Sequence, residues 1–227
     1  MTDTSLAKQA FEGLAKFLIA LAALVFVPAW SLRYWQGWLF LLVFATAVTL
    51  ITVHFLRTDP ALIARRLRVG PAAEKETSQK RIQAFASFLF VALVAFPALD
   101  HRFNWSHLPP YLFLLGDGLI ALGLIIVFLV FRENSFTSAI VEVNEEQRVI
   151  STGPYRFVRH PMYAGSLIFM AGIPIALGSS WGLLLCIPMA ATLIWRLVEE
   201  ERYLSLKLPG YSAYRTQTRF RLIPGVY

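Results

Sequence analysis

The stretch WQGWLFLLVFATAVTLITVHF, Trp35 to Phe55, decides the class of this protein. It contains no Asp, Glu, Lys or Arg over 21 residues. At about 1.5 Å of rise per residue, a helix of that length covers the ~30 Å hydrocarbon core of a bilayer. Trp35 and Trp38 stand at one end, where amphipathic rings settle at the membrane–water interface. The same pattern recurs on both sides. Phe17 to Trp30 is apolar, preceded by Lys16 and closed by Pro28-Ala29-Trp30. Ile82 to Leu99 and Tyr111 to Phe131 are two further runs. The first run has no clear small-x-small cleavage site, and Asp3 and Glu12 precede it, so it reads as a retained span and not as a cleaved leader.

Tyr163 to Trp195 is built differently. Its apolar run is broken by Gly178-Ser179-Ser180-Trp181-Gly182. Two arms of about 15 residues reach only ~22 Å each as helices. The spacing predicts a helical hairpin that dips into the membrane without fully crossing it; two tightly packed, tilted spans are the alternative. The expected fold is therefore an all-α polytopic membrane protein with four spans and a C-terminal hairpin, five to six membrane helices in all. It divides into N-terminal transmembrane helices, 1–131, and a C-terminal core with the hairpin and a polar tail, 132–227.

Composition agrees. The chain is 57% hydrophobic and 15% charged, against about 25% charged in a soluble domain. A single cysteine, Cys186 inside an apolar run, excludes a disulfide framework and a Cys-rich metal site. The formal charge of +7 does not point to nucleic acid, because its placement is topological. The 56–82 loop, the 132–162 segment, the tail from Arg196, and Lys8 with Lys16 hold 19 of the 21 basic residues. Only Arg33 and Arg102 fall on the opposite side. By the positive-inside rule both termini are expected in the cytoplasm, with anionic lipid headgroups as partners of the basic face.

The polar segments 132–162 and 196–227 are expected to meet at that face. Gly153-Pro154 is a turn signal. Pro161 keeps His160 extended and suits a first helical turn, so Arg159 and His160 stand at the entrance of the hairpin's first helix, whose positive end attracts anions. On the second arm, Arg196 lies three residues before Glu199 and four before Glu200, one face of a continuing helix. Asp117, between Gly116 and Gly118, is an acid inside a span and thereby a functional candidate; a buried polar helix contact is the plainer reading. His54 and His107 read as interface residues.

In order, these segments spell Gly153-Pro154-Tyr155-Arg156-Phe157-Val158-Arg159-His160-Pro161-Met162-Tyr163-Ala164-Gly165, a hydrophobic hairpin, Arg196-x-x-Glu199-Glu200, Gly210-Tyr211-x-x-Tyr214 and Arg221-Leu222-Ile223-Pro224. As an ordered set over residues 132–224 they resemble the isoprenylcysteine carboxyl methyltransferases, a family in a wider group with phospholipid N-methyltransferases. The resemblance implies a cytoplasm-facing S-adenosylmethionine pocket closed by the C-terminal segment, with a lipid substrate entering from the bilayer. By position it assigns Arg159, His160, Tyr163, Tyr211 and Tyr214 to the cofactor, with Glu199 and Glu200 as the acidic pair. It also implies an acid and a nearby arginine for the acceptor. Asp117 fills the first role; with no arginine between 118 and 131, Arg132 or Arg196 takes the second. No metal is required.

Methyl transfer from a sulfonium is chiefly a matter of positioning. A carboxylate acceptor needs no base at neutral pH, whereas an amine must lose a proton. Arg132, Arg156, Arg159 and Arg196 near one mouth would draw in a carboxylate. O-methylation of a lipid-linked carboxylate is thus the expected activity, with phospholipid N-methylation as the alternative. A sterol-reductase-like enzyme using a nicotinamide cofactor, or a non-catalytic membrane protein, are further alternatives.

Overall fold

A computed structural model of the chain describes residues 3–74, 76–141, 143 and 147–227. Eight α-helices follow in order: α1 (Asp3–Ala29), α2 (Trp35–Thr58), α3 (Pro60–Arg66), α4 (Thr77–Phe103), α5 (Pro110–Glu133), α6 (Pro161–Ala176), α7 (Cys186–Lys207) and α8 (Tyr211–Gln217). No strand occurs among the described residues. Five helical units are long and apolar enough to cross a membrane: α1, α2, α4, α5 and Trp181–Lys207, which is α7 with the 3-10 turn before it. The protein is an all-α, polytopic integral membrane protein.

Two elements go beyond the hydropathy pattern. α1 begins at Asp3, well before Phe17, because its first turns have their own partners: Leu6 and Ala10 are buried with Phe55, Leu62 and Ile63. α3 is a short helix at the end of α2. Asp59 caps it by accepting the Leu62 amide at 3.0 Å, and Pro60 occupies its first turn, where a missing N–H costs nothing.

The hairpin crosses the bundle; it does not merely dip. Its second arm stays helical past Trp195 to Lys207. Its tip reaches the far connections: the Tyr34 hydroxyl donates to the Leu177 carbonyl at 2.5 Å, and the Ser180 amide donates to Ser106 Oγ at 3.0 Å. Asp100 sits at the centre of that end, 1% exposed, and accepts from the Ser106 amide (2.7 Å), Ser106 Oγ (2.6 Å) and Ser179 Oγ (2.5 Å). Three hydrogen bonds allow a carboxylate to stay buried there. The second arm with the turn before it is long and apolar enough to cross a membrane, and α6, at 16 residues, is a shorter apolar helix.

α5 and α6 run antiparallel along a seam of four glycines. A Cβ on Gly123 would stand 2.4 Å from the Gly165 carbonyl oxygen, and one on Gly172 2.6 Å from the Gly116 carbonyl oxygen. Small residues let two backbones touch where lipid offers no hydrophobic driving force. The seam matters for function because α5 ends, and α6 begins, at the same face.

That face also holds the described residues of the 59–76 connection and of the 134–160 segment, together with the C-terminal segment. With the basic excess upon it, it is expected to be cytoplasmic. In a variant with Cys186 replaced by Ala, single cysteines at exposed Ser78 and exposed His107 should label from opposite sides with an impermeant thiol reagent. Labelling of both from one side would refute the orientation.

Candidate active site

The site grows from the first turn of α6. Pro161 starts the helix and His160 precedes it with φ −126° and ψ 61°. The C-terminal segment pairs beside this entrance: the Arg159 and His160 amides donate to the Phe220 and Arg221 carbonyls, each at 2.9 Å. The Arg159 guanidinium then donates to the carbonyls of Thr218 (2.9 Å) and Arg219 (2.7 Å) and, through Nε, to Glu201 at 2.6 Å. Glu201, 3% exposed, also meets His160 Nε2 at 3.1 Å and Arg221 Nε at 3.0 Å. One carboxylate thereby ties α6, α7 and the C-terminal segment together.

One turn further along α6, the Tyr163 hydroxyl donates to Glu200 at 2.5 Å and accepts from Arg196 Nε at 3.1 Å. The rest of the Arg196 fork is spent on Gln83 (2.6 Å), Glu74 (2.6 Å) and the Ala139 carbonyl (3.1 Å). Glu74, 2% exposed, also accepts the Val141 amide at 3.1 Å, which fastens the wall of the site to α7.

Between these groups lies a cavity lined in part by Tyr155, His160, Tyr163, Glu200, Tyr211 and Tyr214. Tyr155 turns into it after Gly153, whose φ of +56° and contact with Glu133 (2.7 Å from a would-be Cβ) require glycine. Asn134 donates to the Tyr155 hydroxyl at 3.0 Å, and the Tyr214 hydroxyl to the Tyr155 carbonyl at 2.7 Å. Burial pushes the Tyr214 hydroxyl up to about 12. Tyr211 is 4% exposed, and its hydroxyl has no partner among the described residues. Burial first, and then the charges of Glu201 and Glu200, hold that hydroxyl far above its ordinary range, so it stays protonated. A buried hydroxyl without a partner, beside a carboxylate, an imidazole and several phenol rings, is a donor set that suits S-adenosylmethionine: hydroxyls and an ammonium for the carboxylate, and a purine for the rings.

Of the residues anticipated from sequence, Arg159, His160, Tyr163, Glu200, Tyr211 and Tyr214 come together here. Arg196 is present, but its guanidinium is occupied internally. Glu199 turns outward and pairs with Arg202 at 2.6 Å, with side chains 25% and 70% exposed. Glu200 is the acid that lines the cavity, and Glu201 stands behind it against Arg159, His160 and Arg221. Arg132 is exposed at the end of α5, outside the cavity lining. Asp117 stands apart: it lies 16 residues before Glu133, about 24 Å along the helix. It is 6% exposed, and neither carboxylate oxygen has a partner among the described residues. Sequence reasoning missed Glu201, Glu74, Asn134 and Tyr155. Glu201 had a signal, since the cations Arg159 and Arg221 require a buried anion once they pack together.

The bundle of membrane helices thus carries a polar cavity at one face, lined in part by His160, Glu200 and four tyrosines. Residues 111–208, from the start of α5 to just past α7, match the phospholipid methyltransferase family, which stands in the wider group with isoprenylcysteine carboxyl methyltransferases. The match covers 98 of the chain's 227 residues, and it points to a membrane methyltransferase. No curated protein matched the chain.

Proposed function

We propose that the protein is an S-adenosylmethionine-dependent methyltransferase that esterifies a carboxylate on a lipid-linked acceptor at the cytoplasmic face. The observation that carries the cofactor reading is the Tyr163–Glu200 pair facing the unpartnered Tyr211 hydroxyl across one cavity. The bound cofactor supplies an activated methyl group on a sulfonium. Glu200 and Tyr211 hold its polar groups, His160 and the tyrosine rings flank its purine, and the C-terminal segment pinned by Arg159 covers the cavity against water.

The acceptor reading follows from what the site lacks. His160 is bonded to Glu201, and Glu200 to Tyr163. An ammonium acceptor would have to give its proton to one of these already engaged groups, whereas a carboxylate has none to give up. The reading that competes is N-methylation of a phospholipid amine, which the description of the matched family favours. The product decides between them. Membranes containing the protein, incubated with S-adenosylmethionine labelled on the methyl group, should yield a lipid extract that releases volatile methanol in mild base. Base-stable label in the phospholipid fraction would sink the ester and promote the amine.

A further inference from the structure

We propose that Arg66 receives the anionic headgroup of the acceptor lipid, whose chain lies in a groove between α2 and α5. The proposal deepens the methyl-transfer reading above and, for the acceptor's role, rests on it. The groove is about 800 Å³, apolar along Leu50, Leu124 and Phe128, and ends at His54 and Arg57. Its α2 wall runs from Leu42 to Arg57, about 22 Å of helix. One leaflet's share of a ~30 Å hydrocarbon core is shorter, so the groove suits a single long chain.

A continuous line of contacts joins this groove to the cavity. The Phe128 ring lies 5.1 Å from His54 and 5.5 Å from Phe55, and Phe55 lies 5.9 Å from Phe131. The Arg66 guanidinium covers Phe131 at 4.7 Å. Its Nη1 is 3.1 Å from the Ser138 carbonyl and 3.7 Å from Met162 Sδ, and both residues line the cavity. Arg66 thus stands behind Ser138 and Met162 of the cavity lining, where this line of contacts meets the polar site.

Arg66 also differs from the other arginines of the site. Arg159, Arg196 and Arg221 each hold a carboxylate at 3.0 Å or less. Among the described residues, Arg66 has only neutral partners. Burial lowers it from its ordinary value to about 10; Arg196 nearby adds to this, while Tyr163 and Tyr155 oppose it. A desolvated guanidinium without an anion is a site for a carboxylate or phosphate oxygen, which its planar fork matches in two hydrogen bonds.

The test uses the full chain in detergent micelles with two photoreactive diazirine probes of equal chain length, a sixteen-carbon fatty acid and the corresponding primary alcohol. The acid should label α2 and α5 in peptides carrying Leu50 or Phe128. Arg66→Ala should cut that labelling about tenfold, and Arg66→Lys should restore part of it. Labelling by the alcohol and affinity for S-adenosylmethionine should stay unchanged, which also reports an intact fold. Undiminished acid labelling in Arg66→Ala would overturn the proposal, as would an equal loss of cofactor affinity, which would place Arg66 in the cofactor site. If the wild-type chain fails to bind S-adenosylmethionine while its acid labelling depends on Arg66, the methyl-transfer reading falls and recognition of an anionic lipid by Arg66 stands.

Discussion

Gly123→Leu should destabilise the fold strongly, whereas Gly118→Leu, five residues earlier on the same helix, should leave it nearly unchanged. The two glycines face opposite ways. A Cβ on Gly123 meets the Gly165 carbonyl at 2.4 Å and the Phe169 amide at 2.6 Å, both backbone groups that cannot move without the helix moving. A Cβ on Gly118 has open space around it, and the residue is exposed on the lipid-facing surface. Ordinary overpacking costs about 1–3 kcal/mol because side chains can shift. Driving a leucine between two touching backbones costs more, since the whole α5–α6 contact opens. The expected reading is a fall of roughly 10 °C or more in melting temperature for Gly123→Leu in detergent, and a change within a few degrees for Gly118→Leu. S-adenosylmethionine binding should disappear together with the fold, because the seam sets the distance between Asn134 at the end of α5 and Tyr163 on α6. Equal melting of the two variants would show that the seam does not organise the bundle.

The membrane helices were legible from the sequence because a bilayer imposes a length and a polarity that any 20-residue run declares. Trp35 to Phe55 needed no context. The ends of helices were less legible, since what extends a helix past the bilayer is packing. α1 reaches back to Asp3 only because Leu6 and Ala10 find Phe55 and Leu62, which lie about fifty residues on. In the hairpin's second arm hydropathy falls at Trp195, yet the helix continues, as the Arg196–Glu200 spacing implies, because neighbours satisfy Arg196, Glu200 and Glu201.

At the site, local motifs were legible and long-range partners were not. The Arg159-His160-Pro161 entrance followed from the restraint a proline places on the residue before it. Which glutamate faces inward did not follow. The i, i+3 and i, i+4 spacing from Arg196 selects Glu199 and Glu200 on the premise that they answer Arg196. The partners of Arg196 are instead Tyr163, Gln83 and Glu74, which come from three other parts of the chain. Freed of that constraint, Glu199 turns outward, and Glu201 meets Arg159, His160 and Arg221, which no sequence window places beside it. Asp117 illustrates the opposite error: an acid in a span draws attention, but its depth in α5 separates it from every group of the cavity.

Loss of Glu201 carries the other large expected effect. Glu201→Ala strands Arg159, whose side chain is 6% exposed, without its anion, and releases His160 and Arg221 as well. Breaking a buried pair from one side costs roughly 3–5 kcal/mol, and here the cost falls on the contacts that hold the C-terminal segment against the entrance of α6. Cofactor affinity should fall by more than a hundredfold. Glu200→Ala, which removes one charge-assisted contact, should cost about ten- to a hundredfold, and Glu199→Ala, on the outer face, should cost nothing measurable. The measurement that bears most directly on the whole account is therefore equilibrium binding of S-adenosylmethionine, with NADPH as the competing ligand, to the purified wild-type chain and these three variants. The account predicts saturable binding of S-adenosylmethionine, none of NADPH, and losses that rank Glu201→Ala, then Glu200→Ala, then Glu199→Ala. A wild-type chain that binds NADPH, or that binds S-adenosylmethionine equally well in all three variants, would contradict it.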